Sequence, residues 1–221
     1  MALAEALKMG HQANTLLNNG AFAEAEPLLR MQVDRTSEQN NGEWGLWMRR
    51  LAEALIGQGK WVEAETVSGK AFRFWERKYG AGDEDTLDCG SLQLACMLQQ
   101  KRYLEGASMG EELLRALEDN LKRGPEHVTT LKCKVLFAKV LRSTDFEKSA
   151  ELANSAFDAV EALEIRSETN AAAGGRRLTE RDRIAISEIK ELLSEFVNVR
   201  RNPGKLDEKA SLETMSTEVP E

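Results

Sequence analysis

Long apolar runs are missing from these 221 residues. No stretch approaches the roughly 18 apolar residues of a membrane span. The opening MALAEALKMGHQAN is only mildly amphipathic, without the continuous apolar stretch of a secretory signal. Positive charge is in deficit, with 30 Lys and Arg against 37 Asp and Glu for a net charge of −7. Non-specific binding to nucleic acid or an anionic membrane needs a basic surface, so neither is expected, although a local basic patch is compatible with this balance. Cysteine is sparse and odd in number. Cys89, Cys96 and Cys133 lack C-x-x-C spacing, and only His11 and His127 could assist them, so no metal or disulfide framework is expected. Buried free thiols in a reducing compartment are the expectation. Proline is also scarce, at 27, 125, 203 and 220 only. What remains is dominated by Ala, Leu, Glu, Lys and Arg, a helical composition.

Repetition is the strongest positive signal. GAFAEAE (20–26), GKWVEAE (59–65), KRYLEGA (101–107) and TDFEKSA (144–150) resemble one another. Their aromatics Phe22, Trp61, Tyr103 and Phe146 lie 39, 42 and 43 residues apart, each followed three positions later by Ala25, Ala64, Gly106 or Ser149. Upstream come Ala13, then the pairs Leu51-Ala52, Leu94-Ala95 and Phe137-Ala138. Downstream, apolar residues recur at helical spacing, as in Ala71, Phe72 and Trp75 or Leu113, Leu114 and Leu117. The pattern predicts two antiparallel helices per copy. Small residues let the backbones approach, the aromatic fills the gap at the turn, and stacking neighbours complete the core.

The segments LAEALIGQGKWVEAE (51–65), AEAEPLL (23–29) and GPEHVTTL (124–131), with a weaker GAGDEDTL (80–87), carry a family likeness. Over residues 2 to 164 the chain resembles the tetratricopeptide family, in the long-repeat form of about 42 residues found in kinesin light chain. Val128 stands where that form has proline, and the turns before Tyr103 and Phe146 read as one residue shorter. The resemblance implies an all-α, right-handed superhelical solenoid of four hairpins, at 2–36, 43–79, 85–122 and 127–164, forming one domain over 1–166.

Local signals place the helices at 2–18 and 22–36, 43–58 and 61–78, 85–100 and 103–121, and 127–142 and 146–164. Asn40 with Glu43, and Thr144 with Glu147, have capping-box spacing. Pro125 suits the first turn of a helix, whereas Pro27 lies several residues inside one, where a bend is tolerated. Gly174-Gly175 marks 167–177 as a flexible loop. Residues 178–201 form an amphipathic helix with Ile186, Ile189, Leu193, Phe196 and Val197 on one stripe, suited to capping a solenoid or docking on a partner. The polar 202–221 is expected to be a disordered acidic tail.

No phosphate loop, H-E-x-x-H helix, nucleophile elbow or calcium loop occurs, so neither an enzyme nor a cofactor is expected. Asp83, Glu84, Asp85 and Asp88 read as a solvated helix start, and His127 as part of a structural turn. The resemblance instead implies a concave groove lined by the first helix of each hairpin. Carried onto this register, it points to Asn14, Arg49, Glu53, Cys96, Gln99, Lys132, Lys139 and Arg142. The last three form a basic stripe that would attract an acidic segment of a partner. The expectation is an intracellular, cytoplasmic or organellar adaptor that binds other proteins or peptides. The alternatives are a structural subunit of a larger complex and, third, a regulatory domain of an enzyme.

Overall fold

The computed structural model describes residues 2–36, 42–120, 124–172 and 178–197. Among these residues the secondary structure is helical, without strands. In chain order come α1 (Ala2–Asn18), α2 (Phe22–Arg35), α3 (Gly42–Gly57), α4 (Trp61–Tyr79), α5 (Glu84–Gln99) and α6 (Tyr103–Glu118). There follow α7 (Val128–Leu141), α8 (Phe146–Ala172), α9 (Glu180–Leu193) and a 3-10 turn at Ser194–Phe196. The helices pack mainly with their sequence neighbours. They gather into two compact units, Met1–Pro125 and Glu126–Glu221.

In the first unit, one turn is used three times. Ala21, Lys60 and Arg102 donate their backbone N–H to Leu16, Leu55 and Met97, five residues back. The residue before each bonds three back, as Gly20 to Leu17, Gly59 to Ile56 and Lys101 to Leu98. This is the Schellman ending, whose central residue must take a positive φ. Gly20 and Gly59 do so at 74° and 73°, and Lys101 at 60°. The turn before Tyr103 is therefore not shorter than the others. A lysine occupies the glycine's place, which hid the register in the sequence. The fourth turn differs: Thr144 and Asp145 both bond to Leu141.

A second repeated device joins successive hairpins. Glu26 of α2 accepts from the side chains of Gln58 (2.8 Å) and Lys60 (2.7 Å) in the next hairpin turn. Glu65 of α4 accepts likewise from Gln100 (2.7 Å) and Arg102 (2.7 Å). Both clasps place an amide and a cation, two residues apart, on a glutamate four positions after the preceding aromatic. The corresponding residues in the later copies are Ala107, Ser143 and Asp145, which cannot make it.

The core beneath these clasps holds Leu17, Leu29, Leu55, Ala64, Val67 and Phe74 among its buried residues. Aromatic rings seat directly on the helix backbone where glycine leaves room. A Cβ on Gly45 of α3 would lie 2.6 Å from the Phe74 ring and 2.7 Å from Trp75, and one on Gly57 would overlap the Phe22 ring. Gln32, fully buried, donates to the Ala6 carbonyl at 2.8 Å and ties α2 to α1.

In the second unit, α7 and α8 form a hairpin and α9 packs on both, mainly on α7. Ile186, Ile189, Leu193 and Phe196 are 0–4 % exposed against Leu131, Val135, Ala153, Ala156 and Val160. Each such side chain contributes about 1.5–3 kcal/mol of gross burial, so α9 is an integral part of this core. Three local expectations are corrected. α8 runs to Ala172, so residues 167–172 are helical rather than loop. The cap of α8 is Asp145, whose carboxylate accepts from the Lys148 N–H at 3.0 Å, while Thr144 turns its hydroxyl toward Leu141. Pro125 lies in the turn ahead of α7, and His127 caps that helix by accepting the Thr129 N–H at Nδ1 (3.2 Å). Asn40 and the tail 202–221 lie outside the described residues.

Candidate functional site

The first-helix positions expected to face a partner fall into two groups. In the first unit, α1, α3 and α5 lie side by side, α1 against α3 and α3 against α5. Asn14 of α1 is half-buried, and its Oδ1 is buried with no hydrogen-bond partner. Arg49 of α3 is 8 % exposed. It pairs with Glu53 on its own helix (3.1 Å) and with Asp85 (3.5 Å) and Asp88 (3.4 Å) on α5. Burial works against the guanidinium's charge, but Glu53, Asp88 and Asp85 outweigh it and raise its pKa above the ordinary value. The acidic residues at the start of α5, expected to be simply solvated, thus neutralise a buried cation.

Cys96 is fully buried, so its side chain offers no surface, whereas Gln99 at the end of the same helix is exposed. The three thiols are all free and buried. Burial pushes Cys96 up to about 12 and Cys89 higher still. Among the described residues no group of three or more His, Cys, Asp or Glu is placed to hold a metal. No described helix is long and apolar enough to cross a membrane.

In the second unit the basic stripe exists, and the chain answers it with its own acids. Lys132 pairs with Glu188 at 2.6 Å, and Lys139 with Glu195 at 2.7 Å. The seven-residue step along α7 is matched from α9 into the 3-10 turn after it, which sets α9 parallel to α7. Arg142 also reaches Glu195 (3.7 Å) and lies over the Phe196 ring at 5.8 Å. In this structure the stripe faces carboxylates of α9 and the 3-10 turn that follows it. These carboxylates fall 56 residues downstream, beyond the reach of any local pattern.

Sequence reasoning passed over a different group. Lys70, Arg73 and Arg77 recur at steps of three and four on one face of α4 and, with Trp44 and Glu76, line an open cleft of about 460 Å³. The spacing is visible in the sequence, but the expected groove runs along first helices, and α4 is a second helix. Comparison with known proteins adds no identity: no protein-family model matches the chain, and no curated protein matches it.

Proposed function

We propose that the chain is a non-catalytic, tetratricopeptide-like scaffold of the long-repeat, kinesin-light-chain type. Its hairpins stack with a right-handed turn, and it binds a peptide or protein surface through the row of first helices. The observation that carries this reading is the twice-repeated clasp of Glu26 and Glu65 on the following hairpin turn, coupled to the thrice-repeated Schellman ending. Repeats joined by one device present equivalent helices at regular intervals, the arrangement by which solenoids make extended binding surfaces. Within that row Asn14, Glu53 and Gln99 reach solvent at least in part. The test is affinity co-purification with wild-type protein and with Asn14→Arg/Gln99→Arg. Partners lost by a variant that melts like the wild type support the face, and an identical set of partners rejects it.

A second reading, a subunit embedded in a larger assembly, draws on Val62 and Leu104. They directly follow the aromatics of α4 and α6 and are 70 % and 79 % exposed. Equivalent apolar residues repeated on second helices suit a surface covered by neighbours. Replacing both with Ser separates the readings, because it weakens assembly under the second and leaves peptide capture intact under the first.

A further inference from the structure

We infer that the cleft between the start of α3 and the second half of α4 binds a short acidic polypeptide segment in extended form, with its carboxylates on Lys70, Arg73 and Arg77. Apart from Trp44 at the start of α3, this surface lies on α4 and includes none of Asn14, Arg49, Glu53, Cys96 and Gln99.

Many cations of the described residues are already matched, while Lys8, Lys101 and Arg115, like Lys70 and Arg73 in the cleft, have no carboxylate partner among the described residues. Arg30, Arg49, Arg50, Lys60, Arg102, Lys132, Lys139, Arg142, Arg166 and Lys190 all sit in ion pairs. Lys78 lies over the Phe74 and Tyr79 rings, at 5.5 and 5.2 Å. Lys70 and Arg73 are exposed, and neither has a carboxylate partner among the described residues. They are one turn apart and line one concavity. In a chain with an excess of seven negative charges, adjacent unmatched cations in a cleft are the exception.

The shape of the cleft selects the ligand. Its volume of about 460 Å³ falls in the range that admits a few residues. Lys70 to Arg77 spans about 10 Å of helix at 1.5 Å per residue. Side chains on one side of an extended peptide repeat every 6 to 7 Å or so, so two acidic residues at i and i+2 meet this row of cations. The half-buried Trp44 indole, edge-on to Phe74 at 5.3 Å, supplies an apolar wall for the peptide's other side. Glu76 sits among the cations, and the chain as a whole is acidic. Both repel a long polyphosphate backbone more than a short segment that touches only the cleft.

The test uses the full chain and a fluorescein-labelled peptide with Glu at alternate positions, beside a matched peptide with Gln in their place. Fluorescence anisotropy is read at low and at physiological salt, for wild type, for Lys70→Glu/Arg73→Glu, and for the control Lys8→Glu/Arg115→Glu. The inference expects the Glu peptide alone to bind, with affinity that falls as salt rises. It expects about a tenfold or greater loss in the cleft variant and little change in the control. Circular dichroism confirms that each variant is folded. Equal loss in both variants, unchanged affinity in the cleft variant, no binding of the Glu peptide at low salt, or tighter binding of a single-stranded RNA of similar length would each overturn it. Partner capture by the first-helix row is measured separately with Asn14→Arg/Gln99→Arg, so either claim can fail alone.

Discussion

Replacing Glu26 with Gln removes the centre of the first clasp while preserving its size. The carboxylate is 14 % exposed and lies within 2.7–2.8 Å of Lys60 and Arg30, with Gln58 also at 2.8 Å. The hydrogen bond from Lys60, helped by Gln58 and Arg30 and opposed by burial, lowers its pKa from 4.5 to about 2. A carboxylate depressed in the folded state adds stability that is fully present above the unfolded pKa and is lost as pH falls through the folded one. At about 1.4 kcal/mol per unit the gross effect is about 3 kcal/mol. Lys60 and Arg30 are 45 % and 41 % exposed, and solvent screening reduces this to about 1–2 kcal/mol. Urea denaturation followed by circular dichroism at pH 7 and at pH 2 to 3 provides the assay. Glu26→Gln is expected to lose about 1–2 kcal/mol at pH 7, and the gap to wild type closes as pH falls from about 4.5 toward 2. A variant as stable as wild type at pH 7, or a gap that does not change with pH, refutes the clasp.

Lys101→Gly is expected to stabilise the chain by about 1 kcal/mol, because it relieves a side chain held at a φ of 60°. Gly59→Ala imposes that strain and is expected to cost about as much, both read from denaturation midpoints. Gly57→Ala overlaps the Phe22 ring and should destabilise by about 1–3 kcal/mol, with partial recovery on adding Phe22→Leu. Leu193→Ala should cost about 2–5 kcal/mol, whereas Glu188→Gln costs less than about 1 because that pair is half-exposed. The reverse order would mean that charge, and not burial, holds α9 to α7. All three thiols should resist an aromatic disulfide reagent in native protein and react fully in denaturant, since each is buried and Cys89 and Cys96 have raised pKa values. Rapid native labelling would contradict their burial.

Helix placement was readable because it depends on local pattern. The aromatic and small-residue pairs locate each turn, and the stripe from Ile186 to Phe196 is buried along its length. Errors arose where one residue replaced another in an unchanged backbone, or where charge was matched over long distances. Lys101 in a glycine's conformation made a regular turn look shortened. The Gly174-Gly175 pair marks a loop over 167–177, yet α8 continues to Ala172, with the pairs Arg166–Glu126 and Lys190–Glu164 just ahead of that stretch. The capping box of Thr179 with Asp182 has the spacing that would have marked the start of α9. Arg49 and Cys96 were placed on a groove by register alone, but register does not fix how far a side chain sinks between neighbouring helices. The partners of Lys132 and Lys139 were out of reach for a simpler reason, since pairing across 56 residues follows from tertiary packing.

The packing of one hairpin on the next can be seen most directly as nuclear Overhauser contacts in the full-length protein. Contacts between the Phe22 ring and Gly57, together with contacts from the Gln58 side-chain amide to Glu26, are the expected result. Their absence alongside intact helical signals would show that the hairpins do not stack in this register, and the repeat account would fail with them.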